Sequence, residues 1–267
     1  MKTKIFYLFL ALLYILLMLP LSLHSQEQEG FKKEHFINNK DTLNYRVLFP
    51  ENFTETKKYP IVLFLHGAGE RGADNEVQLT HGSSLFLNPE NRKNFPAIVL
   101  FPQCPQDDYW AKVEVNRDVK PFEFNYKNEE EPTNALRLAM ALLTSFTNKE
   151  YADTNRIYVG GLSMGGMGTF EIISRKPDLF AGAFAICGGA NPEIAEAYPK
   201  AFNIWIFHGE KDDVVPPEFS KTMAREINSH GGNAKLSLYP NDNHNSWDSA
   251  FSEPYLLPWL FSQNKNE

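Results

Sequence analysis

The sequence predicts an α/β protein, a mostly parallel central sheet with helices on both faces and an N-terminal antiparallel hairpin. Short apolar runs of strand length recur along the chain, and helical segments lie between most of them. The first two strand-like runs are instead joined by a tight polar turn. A length of 267 residues, 43% of them apolar and 13% aromatic, suits one globular domain with a sizeable core.

Residues 1 to 25 differ in kind from the rest. Lys2 and Lys4 precede an apolar run from Ile5 to Leu21, and Ser22-Leu23-His24-Ser25 follows, the pattern of a secretory signal peptide. The competing reading is a retained membrane anchor, but the run is shorter than the roughly 20 residues that spanning requires. The expectation is a secreted or periplasmic protein with a single catalytic domain over 26–267. Without the leader the chain carries 24 basic and 33 acidic residues, a formal charge near −9. So acidic a surface disfavours nucleic acid, and no stable membrane partner is expected beyond the signal segment.

Glu34-His35-Phe36-Ile37 and Leu43 to Phe49 flank Asn38-Asn39-Lys40-Asp41, turn-forming residues between two strand-like runs, which makes the hairpin. Buried parallel strands are then expected over Ile61 to Leu65, Ala97 to Phe101, Arg156 to Gly160, Ala181 to Ile186, Asn203 to Phe207 and Leu236 to Tyr239. The clearest helix runs from Thr133 to Phe146, with Leu136, Met140 and Leu143 at helical spacing behind Pro132, a residue favoured at helix starts. Another follows Ser163 and ends near Arg175-Lys176-Pro177. Residues 70–95 and 103–131 read as long loops, the second holding Tyr109, Trp110, Phe122, Phe124 and Tyr126 among many charges.

Chemistry concentrates at strand ends, where sheets of this kind bind ligands. Ile157 to Gly160 is a β-type run that enters Gly161-Leu162-Ser163-Met164-Gly165 and then a helical pattern. A strand turning into a helix at one residue crowds the flanking backbones, so Gly161 and Gly165 leave room where a Cβ would not, and Ser163 is held out as a nucleophile. The helix start also presents the Met164 N–H to a developing oxyanion. A Ser nucleophile on this architecture is followed along the chain by an acid and then a His. His244, in the loop after the last strand, is the expected base. His66, His81, His208 and His230 compete as structural histidines. Asp212 and Asp213, after the strand ending at Phe207, are equal candidates for the acid, whereas Asp242 stands too close to His244 and suits a turn. The second oxyanion N–H is expected from Ala68, with Gly69 as the fallback, in the loop after the first central strand.

Gly67-Ala68-Gly69-Glu70-Arg71-Gly72 also matches the dinucleotide fingerprint letter for letter. That match is rejected: the fingerprint needs a helix opening directly and an acid about 20 residues on at a strand end, and Glu90 sits in Asn88-Pro89-Glu90-Asn91, read as a loop. No cluster of zinc-ligand spacing and no phosphate-binding loop is found, so no metal and no organic cofactor is expected.

On these residues the chain resembles the small serine carboxylesterases of the α/β-hydrolase superfamily, including feruloyl, acetylxylan and polyhydroxybutyrate-depolymerase-like esterases. The likeness rests on Leu65-His66-Gly67, Gly161 to Gly166, His208-Gly209 with Asp212 and Val214-Val215-Pro216, and His244 before Trp247. It implies a triad of Ser163, Asp212 and His244, since the acid of that pattern stands two residues before Val-Val-Pro. Gly67 to Gly72 with Asp74 and Asn75 is also similar to a bacterial subgroup labelled peptidase or phospholipase. The resemblance further implies that the strands ending near Cys104 and Cys187 are separated by those ending at His66 and Gly160. Three inter-strand steps make about 14 Å, beyond disulfide reach of about 7 Å, so two free buried thiols are expected.

The expected reaction is hydrolysis of a small-molecule or polysaccharide ester through an acyl-enzyme. Tyr109 and Trp110 are candidate substrate-binding residues able to stack on a sugar or aromatic acyl group, though aromatics buried under a long loop are an equal reading. Two alternatives are a prolyl-oligopeptidase-like peptidase, for whose propeller the short N-terminal stretch leaves no room, and an inactive carbohydrate-binding protein, which a complete triad disfavours.

Overall fold

The computed structural model describes residues 30–127 and 131–266, so the proposed leader over 1–25 lies outside the described residues. Ten strands and seven α-helices occur among them: β1 (Phe31–Asn38), β2 (Asp41–Leu48), β3 (Tyr59–Leu65), α1 (Ser83–Leu87), α2 (Pro89–Asn94), β4 (Ile98–Pro102), β5 (Val113–Asn116), β6 (Glu123–Tyr126), α3 (Asn134–Thr147), β7 (Ala152–Leu162), α4 (Met164–Arg175), β8 (Gly182–Ile186), β9 (Asn203–Gly209), α5 (Pro217–Ser229), β10 (Asn233–Tyr239), α6 (Trp247–Phe251) and α7 (Leu256–Phe261).

Eight strands form one sheet in the order β1-β2-β4-β3-β7-β8-β9-β10. β1 pairs with β2 and β2 with β4 in antiparallel fashion, and every pair from β4 to β10 is parallel. The β1–β2 hairpin closes through Asn39 at φ 58°, a left-handed position that Asn tolerates. After β3 the chain adds β4 on one side and then crosses to add β7 on the other. The strand order therefore reverses between β3 and β7, and a crevice opens beyond their carboxyl ends.

Side chains alternate across the sheet and build a core on each face. Leu63 and Leu65 of β3 pack in a layer with Leu136 and Leu143 of α3, Phe170 of α4 and Met223 of α5. Val62 and Phe64 pack on the other face with Phe101, Phe184 and Phe207 and with Leu256 and Leu260 of α7. All seven residues of β3 and all five of β4 are buried, as unbroken apolar runs demand in a sheet covered on both sides.

Three expectations are corrected. Residues 103–131 are not a plain loop, because β5 and β6 pair antiparallel within them. Val113 and Val115 opposite Tyr126 and Phe124 do alternate, but the pattern is short and diluted by charge. Residues 70–95 hold a single 3₁₀ turn over Val77–Leu79 and the helices α1 and α2, and another 3₁₀ turn, Ala68–Glu70, leads into them. Glu90 lies in α2 rather than in a loop, because Asn88 Oδ1 caps the helix by accepting from Glu90 N at 2.9 Å and Asn91 N at 3.1 Å. Helix α3 begins at Asn134, with Thr133 Oγ1 accepting from Leu136 N at 3.2 Å, so Thr133 is the cap and Pro132 precedes it.

Cys104 and Cys187 follow β4 and β8, with β3 and β7 between them, and both are free and buried. No helix among the described residues is long and apolar enough to cross a membrane.

Candidate active site

Ser163 stands between β7 and α4 with φ 52° and ψ −117°. A side chain at positive φ is strained, by about 1–3 kcal/mol, and such strain persists only where the surroundings enforce it. Here they do. A Cβ at Gly165 would lie 1.8 Å from Leu65 O, and one at Gly161 would lie 2.4 Å from Gly165 O. The turn closes only with glycine at both places, and Ser163 is left partly exposed between them.

Ser163 Oγ is 2.9 Å from His244 Nε2, and His244 Nδ1 is 2.8 Å from Asp212 Oδ2. A carboxylate only accepts, so Nδ1 carries the hydrogen and Nε2 is free to accept from the serine hydroxyl. Asp212 Oδ1 accepts from Val214 N and Val215 N, both at 2.9 Å. Burial opposes ionisation of Asp212, yet the hydrogen bonds from His208 and His244 and from this backbone outweigh it and hold the carboxyl well below the usual carboxylate range. The neighbouring Asp213 is exposed, and its N–H donates to Asn243 Oδ1 at 3.1 Å. Geometry thus separates two acids that the chain sets side by side.

A cavity of about 260 Å³ opens on this group at the β3/β7 crevice. Its floor includes Gly67, Ala68, Gly69, Leu162, Ser163 and His244. Ala68 therefore borders the cavity beside Ser163. Met164 begins α4 with its side chain fully buried, and its N–H is among the first helical donors, which have no intrahelical acceptor.

The two aromatic candidates part company. Tyr109 lines the cavity. Trp110 is 0% exposed and packs edge-on against the His66 ring at 5.3 Å, beneath the loop, so no surface of it faces a ligand. Glu70, His81, Arg117, Phe122, Phe124 and Trp247 also line the cavity, and nothing in the sequence marks them as substrate-binding. His208 reads from the sequence as a structural histidine, yet its side chain meets Asp212, and the i,i+4 spacing to that acid is the available signal.

Among the described residues one set of three potential ligand atoms clusters, on Cys187, Asp212 and His244, all within 4.8 Å of one another. Burial, then the nearby Asp212, pushes the Cys187 thiol far up, which disfavours the thiolate a metal would need.

The architecture and the strand-to-helix turn at Ser163 define an α/β-hydrolase. The chain belongs to the phospholipase/carboxylesterase family, whose model matches residues 53–253. It is similar to the solved structure of a thermostable esterase, with TM-score 0.79 and 33% identity over 88% of this chain and 63% of that one. A probable acetylxylan esterase A of Aspergillus flavus is 26% identical over 147 residues, 48% of this chain and 47% of that protein. A bifunctional acetylxylan esterase/xylanase of Neocallimastix patriciarum is 43% identical over 68 residues, 25% of this chain and 10% of that protein. The chain thus spans less than half of either fungal relative.

Proposed function

We propose that the protein hydrolyses carboxylic esters through a covalent acyl-enzyme on Ser163. The observation that carries this reading is the unbroken line of hydrogen bonds from Ser163 through His244 to an ionised Asp212, opening on a cavity. Family membership and the esterase relatives support the bond type.

In the reaction, His244 Nε2 takes the hydroxyl proton as Ser163 Oγ attacks the ester carbonyl carbon. Negative charge moves to the carbonyl oxygen, where the Met164 and Ala68 N–H groups donate to it, and a donor so placed is typically worth about 3–4 kcal/mol. Asp212 keeps the imidazole in its working tautomer and stabilises the imidazolium. As the tetrahedral adduct collapses, His244 Nε2–H protonates the departing alkoxide and the acyl group stays on Ser163. Water then enters, gives a proton to His244, and releases the acid by the same path reversed. None of these steps calls for a metal or an organic cofactor.

The acetylxylan esterase relatives and the leader-like N-terminus support acyl groups on polysaccharides as substrates and a location outside the cytoplasm. The test is labelling by a fluorophosphonate together with hydrolysis of p-nitrophenyl acetate. Both are expected in the intact protein, and both should vanish in Ser163→Ala. A wild-type protein that takes no label and cleaves no ester would overturn the proposal.

A further inference from the structure

We infer that Glu70, His81 and Trp247 form a subsite for the leaving alcohol, built for an alcohol that carries further hydroxyl groups. The inference rests on the roles proposed above for Ser163 and His244. Those three side chains make a continuous wall ending at the base. Glu70 Oε1 is 3.8 Å from His81 Nε2, the His81 and Trp247 rings are 5.0 Å apart, and the Trp247 and His244 rings 5.5 Å. All of them line the cavity. His244 Nε2 must reach the departing oxygen, so the alcohol attached to that oxygen leaves along His244's own wall.

What this wall offers is set by Glu70. Its Oε2 is buried, and no donor meets it in hydrogen-bond geometry, although the Gly67 and Glu70 N–H groups lie close enough to favour the charged carboxyl. A Cβ at Gly67 would fall 2.9 Å from that oxygen and 3.7 Å from Ser163 Cβ, so the two lie no more than 6.6 Å apart across Gly67. The neighbouring cation does not satisfy it, because Arg71 donates from Nε to Ala68 O at 3.0 Å and from Nη1 to Asp108 O at 3.3 Å. Buried carboxylate oxygens are normally paired, and one left open at a reaction centre is a place for a ligand donor. An alkyl alcohol has no such donor. A polyol or sugar hydroxyl does, and Trp247 supplies the apolar surface on which the C–H face of a sugar ring rests. Burial raises the Glu70 carboxyl above its ordinary value, against the opposing pull of His81 and of the Gly67 and Glu70 N–H groups.

The experiment compares kcat/KM for three acetates of different alcohols: a mono-acetylated methyl xyloside, cyclohexyl acetate and acetylcholine. The wild type is expected to favour the xyloside over cyclohexyl acetate by about tenfold or more, the scale of one hydrogen bond to a charged group. Glu70→Leu should bring that ratio towards one, and Glu70→Gln, which keeps an acceptor oxygen, should retain part of it. Fluorophosphonate labelling of each variant reports whether the site is intact. A wild-type ratio near one with both esters cleaved, or a ratio untouched by Glu70→Leu in a protein that still labels, removes the subsite and leaves the hydrolase. Acetylcholine as the best substrate, with the preference lost in Glu70→Gln, makes it a cation site and also overturns the inference. No labelling and no cleavage in the wild type removes both proposals together.

Discussion

His208 Nε2 lies 3.1 Å from Asp212 Oδ2, the same oxygen that His244 Nδ1 meets at 2.8 Å. His208 is wholly buried. Its Nε2 also faces Val215 O at 2.9 Å, and its Nδ1 faces Ser220 Oγ at 2.7 Å. A ring nitrogen set between two acceptors must carry a hydrogen, so the His208 Nε2–H is shared between Val215 O and Asp212 Oδ2. The acid then receives four hydrogen bonds, two on each oxygen, and has no freedom to turn away from His244.

The first prediction concerns that second histidine as a positioning residue. In His208→Asn, Asp212 loses one donor and can turn away from His244. kcat should fall by about tenfold to a hundredfold with KM unchanged. A merely structural role would leave kcat per fluorophosphonate-labelled site unchanged.

Two adjacent acids give the second. Asp212→Asn should lower kcat by about 10⁴, because the amide can donate to Nδ1 and favour the wrong tautomer. Asp213→Asn alters an exposed side chain and should change the rate by no more than about twofold. Steady-state kinetics on the two variants decides between them.

Stability against pH follows from His66. Its Nδ1 donates to Gly67 O at 2.7 Å, and its Nε2 accepts from Cys104 N at 2.9 Å. Protonation would set Nε2–H against an N–H donor in a buried site, so burial, with the Arg71 charge adding to it, lowers the imidazole from 6.5 to about 4. Since the folded value is depressed, the unfolded chain takes up the proton first as pH falls. The stabilisation is complete above about pH 6.5 and is lost between there and about pH 4, amounting to about 3 kcal/mol. Urea unfolding across that range should show a shallower slope in His66→Gln, and an equal slope would refute the assignment.

Glycines at the turn and in the loop give a contrast. Gly165→Ala drives a Cβ onto Leu65 O and should cost about 3 kcal/mol or more, whereas a Cβ at Gly69 meets nothing within 4 Å. Gly69→Ala should unfold within about 0.5 kcal/mol of the wild type, as thermal melts would show.

Much of this protein was legible in its residue order. Unbroken apolar runs give β3 and β4, because strands covered on both faces need no alternation. Gly161 and Gly165 around Ser163 announce the strand-to-helix turn, because steric exclusion of Cβ is a local requirement. The β5–β6 hairpin is not legible because four-residue strands among many charges carry too weak a period. Trp110 and Tyr109, neighbours in the chain, could not be told apart, since which of them faces the cavity depends on His66 and Gly168 packing against Trp110. The same holds for Asp212 and Asp213. One residue of offset along a loop turns a side chain inward or outward, and only the folded positions of His208, His244 and the Val214–Val215 backbone determine which carboxyl they meet. Local sterics and hydrophobic period are written in the sequence, while partnerships between residues 32 and 81 positions apart, Asp212 with His244 and Ser163 with His244, exist only once the sheet has brought the strand ends together.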